Sequence, residues 1–491
     1  MTIRLITIGL CLLAATASAQ VEKKVKAKID SDKPFVAQQI DQRSKEYELV
    51  AKQIWNFAEL GYLERRSSAL LQETLLKEGF KVEAGLADMP TSFVASYGSG
   101  KPVIGILAEF DALPGLSQDT VPFKKPLIEG GTGHGCGHNL FGTASSAAAI
   151  SLKQWIEKNK RTGTIRLYGT PAEEGGSGKT FMVRAGLFDD VDAVLHWHPA
   201  DGNAADAQSC LAVIGANFRF YGKSAHAAGS PHVGRSALDG VEAMNAMVNM
   251  LREHVPMESR IHYVITKGGL AANVVPDYAE VEYMVRHPNV ESLLDLWDRV
   301  IKCAEGAATG TGTRMTYEIV SGMYNLMPNE TLGKLMHANL TKVGGVNYTP
   351  YETDFAKKIQ ESFGHKHPPL SEAQTVEPFK VSSFSASTDV GDISWLVPTT
   401  GLGTATWVPG TAAHTWQAVA ADGISIGMKG MVNAAKVMAM TATDLFNNPT
   451  LIEQAKEELR KRRGPDFKYK SLVGDRHPPL DYRANMTGPS R

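Results

Sequence analysis

Residues 102–114 read PVIGILAEFDALP, an apolar run that breaks into an acidic exit. Pro102–Leu107 has the length and the branched side chains of a buried strand, and Asp111 stands where that strand hands over to a loop. The same arrangement recurs downstream. Residues 130–142 are glycine-rich, Thr143–Trp155 is dense in Ala and Ser and reads as a closely packed helix, and Thr164–Tyr168 is a second strand. Pro171–Gly178 reads as a loop, Lys179–Ala185 as a helix stopped by Gly186, and Val191–Leu195 as a third strand. Strands alternating with helices build an α/β sheet with parallel strands. Ligands in such sheets bind beyond the carboxyl ends of the strands. Cys136 with His138, Glu173 with Glu174, and His196 with His198 all fall at such ends or their loops.

Working outward, residues 37–79 carry apolar positions at helical spacing, with Gly79 as a stop. Past residue 209 the pattern changes. Leu211–Tyr221, Ile261–Ile265, Glu280–Val285 and Thr313–Val320 read as strands, and Ser236–His254 and Val290–Ala308 as helices. That β-α-β-β-α-β order is the ferredoxin-like one. The chain is accordingly divided into a signal peptide (1–19), a Lys-rich leader (20–34), a first part of the main domain (35–208), an inserted α+β unit (209–323), a second part of the main domain (324–447), and a C-terminal helix with an extended arm (448–491).

The 491 residues are 43% hydrophobic and carry a formal charge of −1, which argues against a nucleic-acid partner. Arg4, the apolar run Leu5–Leu13 and Ala17-Ser18-Ala19 have the layout of an export signal, so the expected location is the periplasm, with no membrane anchor after cleavage. Cleavage would remove Cys11 and leave Cys136, Cys210 and Cys303, an odd set unlike a disulfide scaffold. Cys210 and Cys303 read as inert buried thiols.

Thiolate and imidazole donors beside two carboxylates suit a divalent transition metal. Cys136 and His138 stand at i, i+2 in a segment read as extended or turning, among glycines that let backbone approach an ion. His134 reads as a structural or supporting residue. Of the adjacent Glu173 and Glu174, one can bind metal while the other faces substrate and moves a proton. Asp111 either binds metal or, as preferred, orients a ligating imidazole. His226 lies in the inserted unit, where it acts as an electrophile towards substrate or merely caps a helix.

Eight stretches, among them AEFDALPGLSQ (108–118), GTGHGCGHNLFGTA (131–144), GTPAEEGGSGKTFM (169–182), GKSAHAAGSPHVGRSALDGVEAMN (222–245) and PGTAAHTWQ (409–417), resemble metallopeptidase family 20. The resemblance is to its aminoacylase and auxin-conjugate hydrolase branch, and within it to the aminobenzoyl-glutamate hydrolase-like group. It implies a zinc-peptidase-like catalytic domain, a mixed sheet with flanking helices, and an inserted ferredoxin-like lid that also dimerises. It implies two divalent metal ions per subunit, zinc or manganese, held by Cys136, His138, Glu174, His198 and His414, with Cys136 able to bridge. Alignment of Val191-Asp192-Ala193 with the family's strand selects His198 over His196. Glu173 would be the general base and a hydroxide shared by the two ions the nucleophile. His226, Asn273 and Arg286 match positions that meet substrate, His226 from the partner of a homodimer. Asn139 departs from the Asp usual in that branch, and would change the charge around the metals.

The implied reaction is hydrolysis of an amide in N-acyl or N-aroyl amino acids of the aminobenzoyl-glutamate type. A periplasmic dipeptidase on the same site is the alternative, and a non-catalytic binding protein a third.

Overall fold

The computed structural model describes residues 32–486. The expected signal peptide, Cys11 and leader residues 20–31 lie outside the described residues. Residues 32–34, expected to end the leader, instead begin a helix over 32–42, where Lys33 reaches Asp444 at 2.8 Å. Among the described residues no helix is long and apolar enough to cross a membrane.

Five strands form early: β1 (Lys81–Ala84), β2 (Phe93–Ser99), β3 (Val103–Ala108), β4 (Gly163–Gly169) and β5 (Ala193–Ala200). Then follow β6 (Ala207–Ser209), β7 (Ala212–Tyr221), β8 (Arg260–Lys267), β9 (Tyr278–His287), β10 (Arg314–Met323), β11 (Val381–Ser383) and β12 (Thr399–Ala405). The main sheet runs β1-β2-β4-β3-β5-β12. Its β4, β3, β5 and β12 are parallel, while β1 and β2 are antiparallel additions at one edge. The sheet is therefore mixed. Every residue of β3 is buried, which is why the run reads as continuously apolar.

The helix His138–Asn159 packs on β3, β4 and β5, beside the late helix Ser425–Asn447. Its Ala- and Ser-rich face lets it come close: a Cβ on Gly142 would lie 2.8 Å from the Glu109 carbonyl. That approach puts the start of the helix against the exit of β3. The helix begins five residues before the expected Thr143, because Gly137 takes the left-handed conformation (φ 74°) that lets the chain turn into it. His138 is thus helical rather than extended. Likewise β5 continues past the expected Leu195 and carries both His196 and His198 within the strand.

The strands β7–β10 form a second, antiparallel sheet of order β10-β7-β9-β8. The helices Ala237–Leu251 and Val290–Thr311 pack against it and bury Val241, Met244, Val248, Leu293, Leu296 and Val300 with Phe218, Phe220 and Tyr283. The strand β8 is an edge and almost wholly exposed. After the helix Pro449–Arg463 the chain does not trail away. Residues 464–486 run back across the molecule, where Arg184 donates to the carbonyls of Gly474 and Arg476 (2.7 and 2.6 Å) and Arg476 donates to the Val320 carbonyl (2.6 Å).

Candidate metal centre

The exit of β3 supplies the anchor. Asp111 accepts from His138 Nδ1 at 2.9 Å through one carboxylate oxygen and from the Glu174 backbone N–H at 2.9 Å through the other. One buried carboxylate therefore orients two candidate ligands from two other segments. With Nδ1 committed, Nε2 is the His138 atom left for a cation. The same logic holds for His198, whose Nδ1 lies 2.7 Å from the Pro199 carbonyl while its Nε2 lies 3.4 Å from Cys136 Sγ. His414 comes from the loop after β12 in a left-handed conformation (φ 62°), an unfavourable one for a histidine. Its N–H donates to the Gly135 carbonyl at 2.8 Å, and its Nε2 sits 3.1 Å from Glu174 Oε1.

Three donor sets result, each with its ligand atoms within 4.8 Å of one another: Cys136 with His138 and His198, Cys136 with Glu174 and His414, and Glu109 with His138 and Glu173. Cys136 belongs to two of them. Donors on one tetrahedral ion with bonds of roughly 2.0–2.3 Å sit about 3.5 Å apart, so these spacings fit a shared cation. The buried Glu109 Oε2, His138 Nε2 and Glu174 Oε1 make no hydrogen bond, although His138 Nε2 and Glu109 Oε2 are only 3.1 Å apart. Each belongs to one of the donor sets, His138 to two of them.

The electrostatics point the same way. Burial holds Glu173 well above the usual carboxylate range, and the neighbouring Glu109 and Glu174 push it further. Burial also raises the Cys136 thiol. Burial opposes a charged His138, yet Cys136, Glu109 and Asp111 outweigh it and raise that imidazole well above its usual value. The protons held on Glu173, Cys136 and His138 are ones that a divalent cation would displace, while Glu174 and Asp111 are held below the usual carboxylate range and burial lowers His198 to about 4.

Glu109 is the residue of this cluster that sequence reasoning missed. It stands two residues before Asp111 just past β3, and both carboxylates approach His138, at 3.1 and 2.9 Å; that spacing in AEFDALP is the signal that could have found it. Its Oε1 binds Lys179 Nζ at 2.7 Å, and the fully buried Lys179 also binds Asp389 at 2.6 Å. A buried lysine leaves no such signal, because burial is a tertiary property.

A sequence model for Peptidase family M20/M25/M40 matches residues 105–444. The chain belongs to this family. One of the subunits of p-aminobenzoyl-glutamate hydrolase from Escherichia coli (strain K12) is 41% identical over 451 residues, covering 86% of this chain and 94% of that protein. An Xaa-Arg dipeptidase from Mus musculus is 29% identical, covering 88% and 93%. A dinuclear metal-binding peptidase of the M20 family from Bacillus subtilis shares the fold, with a TM-score of 0.57 at 16% identity over 83% of this chain and 99% of that one. The M20 chain described here is accordingly a hydrolase of the metallopeptidase type.

The remaining sequence-derived residues fall in three places. His196 is outside the donor sets of this M20 site; it lies against Gly401 in a small polar pocket with Asp206 and Asn329, and burial lowers its pKa to about 3. Arg286, on β9, lines a cleft of about 700 Å³ together with Glu173, Glu174 and His414. It donates to Ser387 Oγ at 3.1 Å and to Met284 Sδ, and forms no ion pair among the described residues. His226 and Asn273 lie together on an exposed face, joined by the Ala227 N–H to Asn273 carbonyl bond of 3.0 Å, and do not line that cleft. Backbone N–H groups of Ala228 and Gly229 donate to His226 Nδ1, which assigns the ring proton to the outward Nε2. Asn139 addresses the backbone carbonyls of Ala51 and Asp422, both at 3.4 Å, rather than the donor sets. His134 likewise binds the Ile54 carbonyl.

Proposed function

We propose that this M20-family chain hydrolyses the amide bond of an N-acyl or N-aroyl amino acid, of the aminobenzoyl-glutamate kind. The observation that carries the reading is the meeting of Cys136, His138, Glu174, His198 and His414 around one space, with Glu173 beside it at the end of a cleft walled by Arg286. Two divalent cations, zinc or manganese, held by those five residues would polarise the scissile carbonyl and acidify a water molecule. Glu173 takes the proton from that water and passes it to the leaving nitrogen. Asp111 keeps His138 and the Glu174 turn aligned. Arg286 forks onto the terminal carboxylate of the substrate. His226, with Asn273 beside it, reaches the cleft of the other protomer across a lid-to-lid homodimer and donates from Nε2 to the carbonyl oxygen as it gains charge.

The test is elemental analysis of the purified chain, run beside hydrolysis of an aroyl-glutamate with zinc or manganese added back. Glu173→Gln should retain bound metal and lose at least about 1000-fold in kcat; undiminished activity in that variant would remove Glu173 from the mechanism. The dipeptidase relative favours a second reading, dipeptide hydrolysis at the same site. A dipeptide panel separates the two by kcat/KM. Because the 41% identical relative is one subunit of a hydrolase, the chain is assayed alone first. Export is proposed from Arg4, Leu5–Leu13 and Ala17–Ala19, and an intact N-terminus in the periplasmic protein would refute cleavage before Gln20.

A further inference from the structure

The family match ends at residue 444, yet the cleft is completed by residues beyond it. Arg476, Pro479, Tyr482, Arg483 and Met486 line the same space as Glu173, Glu174 and Arg286. The arm that carries them is held to both halves of the molecule. Arg184 of the main body and the Val320 carbonyl of β10 hold its middle. Near its end, the Tyr482 ring meets Tyr62 edge-on at 5.7 Å, and the Tyr482 hydroxyl donates to the Glu174 carbonyl at 2.9 Å. Arg483 donates to that same carbonyl and, at 3.4 Å, to the Ala112 carbonyl.

The charges along the cleft are unequal. Arg476 lies 3.7 Å from Glu318 and is offset. Arg286 and Arg483 form no ion pair among the described residues, and Arg286 is desolvated enough that its pKa falls below the ordinary arginine value. A guanidinium has five donors in a planar fork that matches a carboxylate. Two such forks, one on β9 and one on the arm, are incompletely used. Removing charge from water without a counter-charge is costly, and an anionic ligand would offset it. Away from the metal centre, Glu282 is the only acid lining the cleft among the described residues.

We propose that the arm is a wall of the substrate site and that Arg483 binds a second carboxylate, so that Arg286 and Arg483 together select amino acids with an acidic side chain. The proposal rests on the amide-hydrolase reading of the same site. An α-carboxylate and a side-chain carboxylate branch from one Cα next to the scissile nitrogen. Cations on two different walls of one cleft can therefore each take one of them.

The experiment compares an N-aroyl-glutamate with the matching N-aroyl-glutamine, which has nearly the same shape and one charge fewer. The full chain should prefer the glutamate substrate in kcat/KM by about 10- to 100-fold, the range of a hydrogen-bonded charge pair. In Arg483→Gln that preference should collapse towards equality. In Tyr482→Phe, which loses only the grip on the Glu174 carbonyl, both substrates should slow alike and the preference should persist. Equal losses on both substrates in Arg483→Gln would overturn the proposal and leave Arg483 a mere positioning residue. Calorimetric titration of the same two ligands into metal-free protein gives a readout independent of turnover. If no substrate is hydrolysed but Arg483→Gln still weakens only the glutamate ligand, the hydrolase reading fails and the carboxylate site stands. If neither rates nor binding distinguish the two ligands, the carboxylate site fails.

Discussion

His196 and His198 stand two residues apart on β5, on one face of the strand, and nothing in their spacing distinguishes them. The fold does. His198 Nε2 faces Cys136 Sγ, while His196 packs over Gly401, where a Cβ would come within 2.4 Å of its ring. We expect His198→Ala to lose about half of the bound metal and at least about 100-fold in kcat/KM, and His196→Ala to keep its metal. Elemental analysis of the two variants decides between them; metal loss in His196→Ala alone would reverse the assignment. Donor type was readable at this scale, because thiolates, imidazoles and carboxylates in glycine-flanked motifs are rare by chance. The role of Lys179 was not. Its partners Glu109 and Asp389 lie 70 and 210 residues away in sequence, and only burial makes the lysine unusual.

Among the elements, β8 is one of the least covered strands. It is one edge of the second sheet, opposite β10, and leaves Tyr263, Val264 and Ile265 between 38% and 56% exposed, an arrangement suited to pairing with a second copy. In the proposed homodimer, Val264→Glu should place an unpaired charge where two β8 edges would meet and weaken association by about 100-fold or more. Sedimentation equilibrium checks this; a variant as dimeric as its parent would exclude β8 from the interface. The elements themselves were largely legible, since period-2 and period-3.6 patterns reflect burial along a single segment. Two boundaries slipped for local reasons. The helix starts at His138 because Gly137 can adopt positive φ, and β5 runs on to Ala200 because β12 pairs with it in register to the end. The turn Glu173–Gly176, expected as a plain loop, is set by left-handed Ala172 and Ser177 and by contacts with Asp111 and the arm.

At the scale of the whole molecule, stability should depend on acids that the fold buries without a cation. Burial raises the Asp392 carboxyl from 3.8 to about 7, although Tyr469 and the Tyr324 N–H donate to it. Between those two pH values the native state holds a proton that the unfolded chain has released. Stability therefore falls as pH rises from about 4 to about 7 and levels off above. Asp392→Asn should remove this component, matching its parent near pH 4 and exceeding it by about 2–4 kcal/mol at pH 8. Chemical denaturation across that pH range tests it; a constant difference would show that Asp392 does not titrate in the folded state. The sequence by itself determined the α/β class, the order of strands and helices, and the kinds of atoms available to a metal, because periodicity and donor chemistry are properties of short segments. Only the tertiary structure decided which histidine faces Cys136, that Glu109 joins the cluster, and that the C-terminal arm closes the cleft. Those outcomes depend on which distant segments meet, and the free energy of meeting comes from apolar surface buried throughout the molecule rather than from the residues that do the chemistry.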